Sequence, residues 1–301
     1  MWQQLLEDLQ RGAPRALART ISLVENEYEG YESFLQDLPY NNATKIIGIT
    51  GPPGAGKSTL VDALLGELVD DGKKVAVLCV DPSSPFNLGA VLGDRIRMNN
   101  WYTHPHVFIR SLATRGSMGG LHPKIIEITE VMKAARFDYI IVETVGVGQS
   151  EIEIAGLADT TVVVVVPEAG DEVQTMKAGL MEIADVFVVN KSDRPDADTF
   201  VKNLRLMLAP AFHQQQHPIE IIKTVASAGA GIKELYNAVQ KHQQQSLVNE
   251  KRIWLLVERA YHLIQQKRMR GISKAQLQNG IKASLPGEHF NLYQFIMQYT
   301  E

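Results

Sequence analysis

The segment GPPGAGKS joins three glycines to a lysine and a serine within eight residues. Gly51, Pro52, Pro53, Gly54, Ala55, Gly56, Lys57 and Ser58, with Thr59 behind them, fit the spacing G-x-x-x-x-G-K-[ST]. The chemistry this allows is capture of a polyphosphate. Glycines let backbone N–H groups turn inward around phosphate oxygens, and a helix N-terminus adds a favourable dipole. Lys57 reaches the terminal phosphates, and the Ser58 hydroxyl can bind Mg²⁺. The pattern requires a strand before it and a helix after it. KIIGIT precedes it and KSTLVDALLGELVDDG follows, which meets the requirement.

The base is read further on. DVFVVNKSD ends an apolar run with Asn190, Lys191, Ser192 and Asp193. A carboxylate at Asp193 can accept from the ring N–H and the exocyclic amine of guanine. Adenine has no such donor pair and would leave a buried carboxylate unsatisfied, a mode of rejection worth roughly 10⁴-fold or more. The Lys191 stem can lie along the base. Ser227 and Ala228 in VASAGAG form a last candidate guanine-contacting loop. The expected ligand is GTP or GDP.

A second constellation is acidic. In IIVETVGVGQ an apolar run ends at Glu143, with Gly146 three residues on. GTPases commonly carry Asp-x-x-Gly there. The longer Glu143 side chain can face Mg²⁺ through water, and the Gly146 N–H can approach a γ-phosphate. Asp81 at the end of VAVLCVD and Asp94 in the following Pro- and Gly-containing segment are further candidates. Where Ras-like proteins place a water-orienting glutamine, this chain has Val147, and the nearest amide is Gln149. Slow intrinsic hydrolysis follows.

The elements that must hold these residues are short strands alternating with helix-length segments: KIIGIT, VAVLCV, HVFIRS, YIIVET, TVVVVVP, DVFVVN and IEIIKT. Continuous apolar strands of this kind indicate a mainly parallel sheet covered by helices on both faces, with ligands at the carboxyl ends of the strands. The predicted fold class is α/β, a P-loop NTPase with helical extensions at both ends. Residues 1–42 read as an N-terminal helical extension, 43–242 as the nucleotide domain and 243–301 as a C-terminal helical segment.

Composition narrows the alternatives. The 301 residues are 45% hydrophobic and 21% charged, with a formal net charge of −4, which gives no reason to expect nucleic acid. No apolar run reaches membrane-spanning length and no signal peptide opens the chain, so a cytoplasmic protein is expected. The lone Cys79 sits in an apolar run and excludes an internal disulfide or a Cys-based zinc site. His104 and His106, or His213 and His217, lie beside prolines without a carboxylate or thiol to complete a metal site.

Taken together, RALARTISLVE, DPSSPF, GDRIRM, FIRSLATRGSMGGL, VETVGVGQSE and PEAGDEVQTMKAGLMEIADVFVVNKSD resemble the MeaB/ArgK group of GTPases. These are chaperones of methylmalonyl-CoA mutase and related adenosylcobalamin-dependent acyl-CoA mutases. The resemblance implies a homodimer whose C-terminal helices help form the contact, and an extra switch over residues 167–179 that contains Lys177. It puts Lys57 and Ser58 on phosphate and Mg²⁺, and Asn190, Lys191 and Asp193 on guanine. Asp81, Asp94 and Glu143 fall on its metal and switch positions. The expected catalytic set is then Lys57, Asp81 and Glu143, and the expected metal set Ser58, Asp81, Asp94 and Glu143. The chain departs from the family at Asn87-Leu88, where a Thr-Gly-like pair is usual, and it lacks the cobalamin signature D-x-H-x-x-G. Two other readings are a metallochaperone GTPase for nickel or zinc, which generally needs Cys/His clusters, and a P-loop kinase, which needs an acceptor site.

Overall fold

The computed structural model describes residues 1–81, 98–115, 121–146, 151–169, 178–212, 219–245, 250–269, 271–285 and 290–299. Each of the seven expected apolar runs forms a strand: β1 Lys45–Thr50, β2 Val75–Asp81, β3 Val107–Ala113, β4 Tyr139–Glu143, β5 Thr160–Val165, β6 Val186–Val189 and β7 Glu220–Lys223. They make one sheet in the order β3-β2-β4-β1-β5-β6-β7, with every neighbouring pair parallel.

The reason for uninterrupted valine in β5 is visible in the packing. Side chains alternate between faces along a strand. Val162 and Val164 enter one core, with Leu60, Leu64 and Leu68 of helix α4 (Lys57–Asp70) and Leu235 and Val239 of α9 (Ile232–Gln245). Val163 and Val165 enter the other, with Leu180 and Ile183 of α7 (Ala178–Ile183) and Phe200 and Leu204 of α8 (Ala197–Phe212). Neither face is wet, so no polar alternation is tolerated. Cys79 is buried in the first core, as a structural thiol.

Helix α4 starts after Gly56, whose φ of 90° is open to glycine, and stops at Gly72, φ 73°. There the Lys73 N–H donates to the Leu68 carbonyl at 3.0 Å, a left-handed helix stop. The N-terminal region folds as three helices, α1 Trp2–Gln10, α2 Pro14–Glu25 and α3 Tyr31–Gln36. Leu17, Ile21 and Val24 form the buried face of α2, which packs on α5 (Ile125–Ala134). Helix α6 (Glu151–Leu157) packs against β1.

The chain divides into two compact units, Met1–Arg252 and Ile253–Glu301. The second holds most of α10 (Glu250–Arg268), then α11 (Lys274–Ser284) and α12 (Leu292–Met297). Ser273 and Gln276 form a reciprocal capping box at the start of α11. Ile253, Trp254, Val257, Tyr261 and Ile264 along α10 are exposed. Among the described residues no helix is long and apolar enough to cross a membrane.

Candidate nucleotide and metal site

The parallel sheet brings the chemistry-bearing residues to one edge. Glu143 closes β4 and pairs in register with Cys79 of β2 and Ile49 of β1, while Asp81 stands two residues beyond Cys79. Register partners and i+2 neighbours share a face. Ile49, Cys79 and Ile141 belong to the core under α4, so Glu143 and Asp81 face α4 as well. The contact follows: the Ser58 hydroxyl, in the first turn of α4, donates to Glu143 Oε1 at 2.7 Å. Glu143 is 4% exposed, Ser58 5%, Lys57 6% and Asp81 8%. Burying carboxylates and an ammonium together costs free energy unless they are mutually satisfied, and such clusters mark functional sites.

The glycine-rich loop wraps its own lysine. Lys57 Nζ donates to the carbonyls of Gly51 at 2.9 Å and Pro52 at 3.2 Å. Gly146 closes the loop from the other side. Its φ is 82°, and a Cβ there would lie 2.2 Å from the Gly51 carbonyl oxygen and 2.5 Å from Lys57 Nζ. Only glycine allows that approach. Behind it, Thr144 Oγ1 donates to Thr50 Oγ1 at 2.9 Å, and the Thr144 N–H donates to the Ile49 carbonyl at 3.0 Å. These bonds fix the residue after Glu143 to the residue before Gly51.

The candidate base-reading corner is built on Asn190, 3% exposed. Its Nδ2 donates to the Ala55 carbonyl at 2.9 Å, and its Oδ1 accepts from Thr224 Oγ1 and the Ala226 N–H, both at 3.1 Å. One amide therefore joins the phosphate loop to the loop carrying Ser227 and Ala228. Lys191 takes φ 56°, and its Nζ donates to the Gly54 carbonyl at 2.8 Å. Asp193 is exposed, in the turn beyond the end of β6. Ser227 and Ala228 are exposed too. Arg194 pairs with Glu168, just after β5, and holds that carboxyl below its ordinary range.

Asp94, Val147, Gln149, Lys177, His213 and His217 lie outside the described residues. Among the described residues no three His, Cys, Asp or Glu side chains converge as an all-protein metal site. A hydroxyl and one or two carboxylates nevertheless form the hard-oxygen donor set that Mg²⁺ takes alongside phosphate and water. Ser58, Glu143 and Asp81 fit that chemistry. His104 makes edge contacts with His106 and with Trp101 in the turn before β3.

Sequence reasoning missed the Thr50–Thr144 pair and the triple role of Asn190. The first had a signal, since the two threonines directly abut Gly51 and Glu143. The second could only be found once Ala55, Thr224 and Ala226 met in space.

Known proteins resemble this chain over most of its length. A putative GTPase of Pyrococcus abyssi is 48% identical over 248 residues, 81% of this chain and 76% of the relative. The GTPase ArgK of Escherichia coli is 38% identical over 241 residues, 77% of this chain and 72% of that protein. The crystal structure of an LAO/AO transport system kinase superposes with a TM-score of 0.65 at 26% identity, covering 99% of this chain and 96% of that one. The family described as methylmalonyl Co-A mutase-associated GTPase MeaB matches residues 17–276. With a phosphate loop, a buried Ser58–Glu143 contact and an Asn190-anchored base corner in one sheet edge, the chain belongs to the MeaB family of GTPases.

Proposed function

We propose that this GTPase is a chaperone that gates cofactor loading and protection of an adenosylcobalamin-dependent acyl-CoA mutase of the methylmalonyl-CoA mutase type. The observation that carries the reading is the convergence of Ser58, Glu143 and Gly146 on the phosphate loop. That arrangement is suited to sensing a terminal phosphate rather than merely binding a nucleotide. The family's description supplies the class of partner.

In this reading residues 51–59 and the Gly146 N–H bind the phosphates, and Lys57 turns from its own loop carbonyls to the terminal oxygens. Asn190, Lys191, Asp193, Ser227 and Ala228 hold guanine. Ser58, Asp81, Asp94 and Glu143 hold Mg²⁺, which when bound neutralises charge on the phosphate oxygens. Lys57, Asp81 and Glu143 serve hydrolysis, and without a glutamine at Val147 the unassisted rate is slow. Loss of the γ-phosphate releases loops 81–98, 143–150 and 167–179, including Lys177, and changes the surface offered to the mutase. Residues 243–301 supply a homodimer contact, for which the apolar residues exposed along α10 are the support. The N-terminal boundary near 42 marks the helical extension, and the protein acts in the cytoplasm.

The test is co-purification with candidate acyl-CoA mutases in the presence of a non-hydrolysable GTP analogue or GDP. Nucleotide-dependent capture, with the mutase altering the hydrolysis rate, is expected. No capture in either state, and no change in rate, would overturn the reading. Product analysis separates it from phosphotransfer: free phosphate is expected, not a phosphorylated acceptor.

A further inference from the structure

A second cluster of charge lies away from the phosphate loop, where the end of α2 meets the segment entering α5. Glu25, Asn26, Glu27, Arg115, His122, Pro123 and Lys124 line a cleft of about 260 Å³. Glu25 accepts from Arg110 at 3.0 Å and from Arg115 at 2.8 Å, so two guanidinium groups share one carboxylate. Lys124 pairs with Glu27 at 2.6 Å, and Glu27 is itself largely exposed.

His122 is the unusual member. Its residue is 2% exposed, and its Nδ1 accepts the Lys124 backbone N–H at 3.0 Å. That bond places the ring proton on Nε2. Among the described residues Nε2 has no hydrogen-bond partner, and the Glu25 carboxylate stands 3.8 Å away, too far to accept. A buried N–H donor that lines a cleft and lacks an acceptor calls for one from outside. Arg115, Lys124 and Arg110 act on this ring against the Glu25 carboxylate, and Lys124 is in turn paired with Glu27. The acceptor best suited to that field is negatively charged. Helix α5 begins at Ile125, one residue after Lys124, and its positive end adds to the same field.

We propose that this cleft binds the oxyanion group, phosphate or carboxylate, of a small ligand, with His122 Nε2–H, Arg115 and Lys124 as its donors. The site is separate from the phosphate loop and does not depend on the mutase reading. It is nevertheless joined to the nucleotide edge, because the Thr114 N–H, one residue before Arg115, donates to the Asp81 carbonyl at 3.0 Å.

The experiment follows the His122 ring by ¹⁵N-histidine NMR in the full chain during titration with inorganic phosphate and, separately, acetate. A saturable shift of the His122 Nε2 resonance is expected with at least one of the two anions, and which one identifies the oxyanion. The shift should persist in Lys57→Ala, which disables the phosphate loop. It should weaken at least tenfold in Arg115→Met and be largely kept in Arg115→Lys. A His122 resonance that stays put with both anions, or moves only when Lys57 is intact, would overturn the proposal. So would equal binding by Arg115→Met.

Discussion

Replacing Gly146 with alanine tests a close approach in the nucleotide site. Two costs add. An alanine at φ 82° occupies the left-handed region, at about 1–2 kcal/mol. Its Cβ would also stand 2.2 Å from the Gly51 carbonyl oxygen and 2.5 Å from Lys57 Nζ. Forcing an extra carbon into a packed site typically costs a further 1–3 kcal/mol. Gly72 is the control, since its φ of 73° is similar but a Cβ there meets nothing within 4 Å. Gly72→Ala should therefore show only the conformational cost, as a lower denaturation midpoint with normal hydrolysis. In Gly146→Ala the loop has to yield, and the steric share appears as loss of catalysis. A steric share of about 1–3 kcal/mol corresponds to roughly 5- to 150-fold slower single-turnover hydrolysis. GDP binding should change far less, because the role proposed for the Gly146 N–H is at the terminal phosphate, which GDP lacks. Hydrolysis in Gly146→Ala equal to that in Gly72→Ala would refute the packing argument.

Asp193→Asn should exchange GTP for xanthosine triphosphate, a change in preference of roughly 10⁴-fold by competition binding; unchanged GTP affinity would remove Asp193 from the base site. Asn190→Ala breaks three bonds from one buried amide, and an equilibrium urea experiment should register a loss of about 2–4 kcal/mol. Burial chiefly, with Arg115, Lys124 and Arg110 and against the opposing pull of Glu25, lowers the His122 pKa from 6.5 to about 4. The unfolded chain then binds a proton that the folded one refuses, so this group's contribution falls as pH drops from 6.5 toward 4. Between pH 7 and pH 5 the loss should be about 2 kcal/mol, and the pH dependence of His122→Asn should be shallower by that amount. Lys177→Ala should bind nucleotide nearly normally yet lose the response of its hydrolysis rate to the mutase.

Much of this was legible because it is local. The strands announce themselves as runs rich in valine and isoleucine, and the phosphate loop and Asn190-Lys191-Ser192-Asp193 are fixed spacings. Where the reading fell short, the information was distributed. The first 40 residues have helical spacing, but their division depends on Gly12, φ 78°, followed by Pro14 in the first turn of α2. Helix α11 lacks a strong apolar stripe, and its clearest signal is the Ser273–Gln276 box. Asp193 lies four residues past the last residue of β6 and is exposed, which its four-letter spacing does not announce. Arg110 and Glu25 stand 85 residues apart, and no spacing rule joins them.

The Arg194–Glu168 pair has a consequence for how the base corner behaves. Arg194 belongs to the turn that presents Asp193, and Glu168 lies in the stretch leaving β5, so an ionic bond ties the two. On the proposed role of Asp193, thermodynamic linkage works in both directions: a partner that pulls the β5 stretch away loosens the grip on guanine, and a seated guanine resists that pull. Both side chains are about half exposed, so added salt screens this tether before it disturbs anything in the core.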